Sequence, residues 1–384
     1  MRFAFVSTMA DWPWGGSEEL WSQTAVQLKR AGHDVQASVA YRPRQSDKVT
    51  SLARQGIRLG IYPSYRFGLG RRIWNKLTLQ SRRSYGRLKR FKPDLVIISQ
   101  GHNSGGFNWA KICREASIPY VLIVHCNSEH WWFQDRELEE AAASYRFAQK
   151  VFCVSHSNLN LLRMQLADPL ENGEVVWNPY KVSAESVAAW PIEDGRWRLA
   201  CVARLDTAAK GQELLLQVLA RPEWRSRPIE LNLFGEGPHE SALRRLASML
   251  KLNNVHFRGQ VSDIKAIWEQ NHLLVLPSRY EGLPLVIVEA MWCGRPAVVT
   301  DVAGNTEVCV DNETGFVAPA PTVASLADAL QRAWDQREDW QRMGQAARAR
   351  AESQIPRDPI PVFADRLRSC ADTARQTLTS KRPS

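Results

Sequence analysis

The chain has 384 residues, 44% of them hydrophobic and 23% charged, with 50 basic against 40 acidic side chains and a formal net charge of +10. This composition excludes disorder, and the length exceeds one ordinary core, so two domains of about 150–200 residues each are expected. No apolar run approaches the roughly 18–20 residues that span a bilayer, and seven cysteines without close pairing or ligand spacing read as reduced thiols, with no zinc site.

In chain order, the first half alternates strand-like and helix-like segments. Met1–Thr8 is too short for a signal-peptide core and reads as the first strand, Arg2–Ser7. Further strands are expected at Asp34–Ala40, Leu95–Ser99, Tyr120–His125, Val151–Val154 and Val175–Trp177. Helices are expected at Ser17–Ala31, Arg71–Phe91, Phe107–Glu115, Asp135–Ala148 and Ser157–Leu166. After Asn178-Pro179 the pattern turns irregular to residue 195, which suggests a linker over 179–195. The alternation then restarts with strands at Arg198–Ala203, Glu230–Phe234, Val255–Arg258, Leu273–Pro277 and Ala297–Thr300. Helices accompany them at Gly211–Leu219, Glu240–Leu250, Ser262–Asn271, Pro284–Trp292, Val323–Arg337 and Trp340–Ala351. Three prolines between Ile355 and Pro361 should break the chain before a last helix, Val362–Leu378. Such alternation predicts an α/β fold with two doubly wound parallel sheets.

The segment Ser278–Val299 carries the most chemistry. A buried strand runs into a loop holding Glu281, then a Gly282-Leu283-Pro284-Leu285 turn, then a helix holding Glu289 and ending at Gly294. The amides around Gly282–Val286 lack partners within the helix and sit at the positive end of its dipole. That makes an anion site at the carboxyl end of a strand, where open α/β sheets bind ligands. Amides suit phosphate and the flanking carboxylates suit sugar hydroxyls, so the ligand should carry both.

Glu281 and Glu289, separated by seven residues, together with Gly282, Pro284, Ala290, Met291, Gly294 and Pro296, resemble the signature of the family 4 retaining glycosyltransferases, which have the GT-B fold. The resemblance continues through Val302–Glu307 and Asn312–Val317, with weaker echoes back to residue 1. It implies two Rossmann-like domains facing a central cleft. The first would cover 1–178, rejoined by the helix at 362–380, and bind the acceptor; the second, 196–355, would bind a nucleotide sugar.

By the same resemblance, Arg204 and Lys210 would hold the diphosphate, Glu289 the ribose hydroxyls, and Glu281 the donor hexose. His125 would lie near that hexose, Gly15 and Gly16 near the diphosphate and acceptor, and Val261 near the base. Glu18 and Glu19 follow the glycines at the start of the next helix. The resemblance implies a UDP-, GDP- or ADP-hexose donor, retention of anomeric configuration, and no cofactor or metal. Two departures stand out: Asn178-Pro179 where the family usually has Asn-Gly, and Ala303-Gly304 where it often has Gly-Gly.

Two features point to the acceptor. Trp12, Trp14, Trp131 and Trp132 lie on loops expected to face the cleft, and flat aromatic faces suit sugar rings as well as cores. Between Arg66 and Lys92 stand ten Lys or Arg residues and no acid, interleaved with Trp74, Leu77, Tyr85, Leu88 and Phe91. A basic helix of this kind can pack on the sheet, lie on an anionic leaflet, or guide an acidic lipid-linked acceptor. The expected protein is thus a cytoplasmic hexosyltransferase, peripheral at the inner face of the membrane, adding sugar to a glycan or glycolipid in surface-polysaccharide assembly. The rival enzyme class is a GT-B epimerase or phosphorylase. A basic nucleic-acid-binding protein is the distant alternative, but no nucleic-acid motif accompanies the charge.

Overall fold

Two parallel sheets organise the chain. In the computed structural model, residues 1–9, 14–42, 45–62, 79–182 and 187–380 are described. The first sheet contains β1 (Arg2–Ser7), β2 (Asp34–Ala40), β3 (Arg58–Tyr62), β4 (Leu95–Gln100), β5 (Tyr120–Val124), β6 (Val151–Cys153) and β7 (Gly173–Val175), in the order β3-β2-β1-β4-β5-β6-β7. The second contains β8 (Trp197–Val202), β9 (Ile229–Phe234), β10 (Val255–Gly259), β11 (Leu273–Leu276), β12 (Ala297–Thr300) and β13 (Gly315–Ala318), in the order β10-β9-β8-β11-β12-β13. Central strands such as β4, β5 and β11 are buried along their whole length. Helices cover both faces of such a sheet, so its strands read as continuous apolar runs.

The chain divides into two compact units, Met1–Pro179 with Asp358–Ser384, and Tyr180–Arg357. Residues expected as a linker include Trp190, which packs edge-on to His272 and under Arg295 in the second unit. The closing helix spans Pro359–Ser380 and begins earlier than the prolines suggested. Pro359 and Pro361 fall in its first turn, where amides have no intrahelical acceptor and a missing N–H costs nothing. Its Phe363 stacks edge-to-face on Phe152 of β6, with ring centroids 5.1 Å apart.

Other elements depart from expectation. The strand expected at Val175–Trp177 lies at Gly173–Val175, in register with β6 from Val151↔Gly173. A Cβ at Gly173 would sit 2.7 Å from Leu159 Cδ1, so the strand passes the helix His156–Leu166 at a residue that sequence propensity discounts. β3, β13 and the helix Asp47–Arg54 were not expected at all. Of the basic segment, 66–78, with Trp74 and Leu77, lies outside the described residues. The rest forms the helix Leu79–Phe91, whose Leu88 and Phe91 are buried in the core beside β1 and β4. Arg87, Lys89, Arg90 and Lys92 stay exposed. Leu88 and Phe91 thus dock the helix, and these four cations face water. No helix among the described residues is long and apolar enough to cross a membrane.

Candidate functional site

In the second sheet the chain leaves β8 for β9 on one side and β11 for β12 on the other, so the loops after β8 and β11 diverge at a switch point. The residues expected to hold a diphosphate stand there. Arg204 follows β8, Lys210 ends the short turn Thr207–Lys210, and Glu281 follows β11. Gly211 lets these loops meet: it adopts φ +63°, and a Cβ there would lie 2.1 Å from the Pro277 carbonyl oxygen. Gly235 similarly folds the loop after β9 onto Ala203, whose carbonyl oxygen would be 2.2 Å from its Cβ, at φ +117°. Gly211→Ala is expected to cost at least about 2 kcal/mol through strain and clash together. Chemical denaturation measures this; unchanged stability would mean the two loops are not in contact.

Lys210 Nζ donates to Glu281 Oε1. Ser278 Oγ donates to the same oxygen at 2.7 Å, and the Ser278 carbonyl accepts from Thr300 Oγ1 at 2.6 Å. The Glu281 carboxylate, on a residue only 6% exposed, is therefore held by a cation and a hydroxyl. Arg204 extends its guanidinium to Asp206 Oδ2 at 3.0 Å, while its carbonyl accepts from Gln212 Nε2 at 2.7 Å. Asp206, Ser278 and Gln212 were not singled out from sequence; the one available signal was a polar residue at the carboxyl end of a strand.

The helix expected at Pro284–Trp292 spans Leu285–Trp292, with Pro284 as its extended N-cap. The Ile287 amide donates to the Pro284 carbonyl at 3.1 Å, and a helix start leaves those of Leu285 and Val286 without intrahelical acceptors. Gly282, Leu283 and Pro284 are buried just before it. Its far end closes through Gly294 at φ +69°, with Gly294 N–H to Met291 O and Arg295 N–H to Ala290 O, both 2.9 Å. This is the paired closure that a left-handed glycine permits. Glu289, on the same helix, is buried, which pushes its carboxyl above the usual range. It accepts the Lys181 amide at 3.1 Å, not any group of Glu281. Tyr180 stacks on Trp292, at 5.7 Å, one turn further on. Val261 is half-buried just past β10.

In the first unit the switch point lies between β1 and β4. Gly15 is the extended N-cap of the helix Gly16–Arg30, which starts one residue before the expected Ser17. Glu18, buried in its first turn, accepts Ser7 Oγ on both oxygens, at 3.0 and 2.8 Å. Burial outweighs these bonds and pushes its carboxyl up to about 7. The native chain then binds the Glu18 proton more tightly than the unfolded chain. Its contribution to stability is full below the unfolded value of 4.5 and is lost as pH rises through about 7. Glu18→Gln is expected to flatten that dependence in denaturation curves between pH 4.5 and 8; an unaltered slope would assign the titration elsewhere.

His125 follows β5 and is 5% exposed. Its Nε2 lies 3.1 Å from Ser99 Oγ, while Nδ1 has no hydrogen-bond partner of full geometry. Burial pushes the ring down to about 3, weakly opposed by the neighbouring Asn178 amide, so it is neutral near pH 7.

The tryptophans separate. Trp12 lies outside the described residues. Trp14 donates to Glu19 Oε1 at 2.9 Å, carries Lys48 over its ring at 5.3 Å and neighbours Trp21 at 6.3 Å. It borders a cavity of about 400 Å³ with Glu19, Gln23 and Lys48. Trp131 is half-buried and edge-on to His102 at 5.7 Å, whereas Trp132 is 60% exposed. Among the described residues, no three His, Cys, Asp or Glu side chains gather as a metal site needs.

Residues 182–350 match the glycosyl transferases group 1 family and residues 14–183 match glycosyltransferase family 4. The chain is similar to alpha-D-kanosaminyltransferase of Streptomyces kanamyceticus, 35% identical over 36% of this chain and 37% of that one. It is also similar to a phosphatidyl-myo-inositol mannosyltransferase of Mycobacterium leprae, 32% identical over 40% and 42%. The matched stretches thus span well under half the length of these relatives. Among solved structures, HepE of Anabaena in complex with UDP has a TM-score of 0.71 at 19% identity, covering 99% of this chain and 100% of that one. A glycosyltransferase of Rickettsia africae has a TM-score of 0.74 at 15% identity over 98% and 99%. Such low identities speak for the fold. From both family matches and the two Rossmann-like units, the chain belongs to the family 4 glycosyltransferases and has the GT-B fold.

Proposed function

We propose that this glycosyltransferase moves a hexose, with retention, from a nucleoside-diphosphate sugar to a glycan or lipid-linked saccharide, in the assembly of a surface polysaccharide or glycolipid. The Lys210–Glu281–Ser278 cluster carries the reading, because it puts a cation and a fixed carboxylate beside the start of the helix Leu285–Trp292. Lys210 and Arg204 stabilise the departing diphosphate without a metal ion or other cofactor. Glu289 takes the ribose hydroxyls, Glu281 a hydroxyl of the hexose, and the backbone at Val261 the base. In the first unit, Gly15, Gly16 and the neutral His125 serve the diphosphate and hexose, and exposed Trp132 offers a stacking face to the acceptor.

The acceptor oxygen bonds to the anomeric carbon on the face from which the diphosphate leaves, and the departing phosphate takes the acceptor's proton. HepE was solved with UDP-glucose, which supports a nucleotide-sugar donor. The mannosyltransferase relative, by its name, acts on a phosphatidylinositol. With the exposed cations of 87–92, this supports an anionic lipid-linked acceptor and peripheral attachment at the cytoplasmic face. A thermal-shift screen with UDP-, GDP- and ADP-sugars is expected to single out one base by a raised Tm. Nuclear magnetic resonance then reads the new linkage. No shift with any of the three, or an inverted linkage, would overturn the corresponding part of the reading.

A further inference from the structure

The loop that carries Glu281 also carries Arg279, which holds the segment that carries Lys210 by two hydrogen bonds and an ion pair. The Arg279 amide donates to the Ala209 carbonyl at 2.8 Å, and its Nη1 donates to the Thr207 carbonyl at 2.8 Å. Nη2 pairs with Glu213 at 2.6 Å. One residue thus grips the turn Thr207–Lys210 by its main chain and the following helix, Gln212–Leu219, by an acid. A guanidinium fork can hold two partners in fixed directions, which an ammonium cannot. Lys210 leaves this turn toward Glu281, two residues beyond Arg279. A four-carbon stem allows the ammonium many positions, so where the turn is held matters.

We propose that Arg279 is a positioning residue that fixes the place of the Lys210 ammonium relative to Glu281 by clamping the turn Thr207–Lys210 onto the loop after β11. It acts through Lys210, so the proposal rests on the assignment of Lys210 to the diphosphate. A displacement of about 1 Å in a group that meets the leaving group is enough to cost roughly 100-fold in rate. A residue that only stabilised the loop would lower Tm and leave the activity of the folded fraction unchanged.

The experiment is a double-mutant cycle on the full chain with R279A, K210A and R279A/K210A. Affinity for UDP, GDP or ADP, whichever the wild-type chain binds tightest, is measured by calorimetry, and donor turnover is measured where it is detectable. R279A is expected to weaken nucleotide affinity or kcat by about 10-fold or more in the wild-type background. In the K210A background it should change either by less than about 2-fold, since its intermediary is gone. R279K, which keeps the charge but holds fewer partners, should fall between wild type and R279A. Independent, multiplicative losses would overturn the positioning role, as would an R279A protein with wild-type affinity and kcat. A K210A protein with wild-type behaviour would instead overturn the assignment of Lys210 itself. Failure of all three nucleotides to bind the wild-type chain would overturn both.

Discussion

Lys210→Ala is expected to reduce turnover at least about 100-fold, the size typical of losing one preorganised stabiliser of transition-state charge. Two negative charges develop on the diphosphate as it leaves the sugar, and the groups that meet them must already be in place. Lys210 is placed by its pair with Glu281, and the substitution also strips a carboxylate on a residue only 6% exposed of its cation. Arg204→Ala should cost as much, because Asp206 holds the guanidinium as a fork that could take two phosphate oxygens. Exchange to arginine at 210 or lysine at 204 should recover little of the loss, since point charge and fork have different geometries. Steady-state kinetics with the preferred donor measures both. A variant within a few-fold of wild type would remove that residue from the reaction.

Arg295→Ala is expected to destabilise the second unit by at least about 3 kcal/mol. Arg295 is 2% exposed, and its charged guanidinium is surrounded by main-chain carbonyl oxygens that accept its hydrogen bonds. Nε donates to Trp268 O at 2.9 Å and Asn271 O at 3.0 Å, and Nη1 to Cys293 O at 2.7 Å and Gly294 O at 3.2 Å. Nη2 reaches Ala189 O, and the group lies over Trp190 at 4.8 Å. Burial pushes the guanidinium down to about 10, so it remains charged near neutrality. Alanine would leave five carbonyls without this donor, those of Trp268, Asn271 and Cys293 buried, and detach residues 189–190 from the end of the helix Leu285–Trp292. Lysine cannot reach five acceptors from one nitrogen, so Arg295→Lys should recover only part. Denaturation with urea reads the change, and a loss below about 1 kcal/mol would show that water replaces the side chain freely.

The central strands and the helix Leu285–Trp292 were legible because each carries its own signal. Strands buried on both faces are apolar throughout, and Pro284 and Gly294 bracket a helix by backbone preference alone. The strands that were missed or shifted, β3, β7 and β13, all lie at sheet edges. Each contains a glycine at a close approach: Gly60 near Ser38, Gly173 near Leu159, and Gly315 near the Ala297 carbonyl. Partial exposure removes the apolar run from β3 and β7, and a glycine forced by a neighbour weakens what remains. At the site, Arg204, Lys210 and Glu281 could be read from their motifs. The clamp by Arg279 could not, because two of its three acceptors are main-chain carbonyls that every sequence possesses. At Trp14 the structure adds partners that the sequence did not show. Lys48 and Trp21 lie beside its ring, and its N–H donates to Glu19.

The helix Pro359–Ser380 packs in the first unit although its residues follow the whole of the second in the chain. During synthesis, therefore, residues 1–179 must wait with Phe152 and its neighbours uncovered while Tyr180–Arg357 emerges with every strand of its own sheet already present. Domains otherwise tend to mature in order from the amino end. Here the order is inverted: the second unit has all its residues before the first receives its closing helix. A fragment cut at 179 would keep an uncovered apolar strip and be prone to aggregate, whereas 180–357 is the piece suited to separate expression.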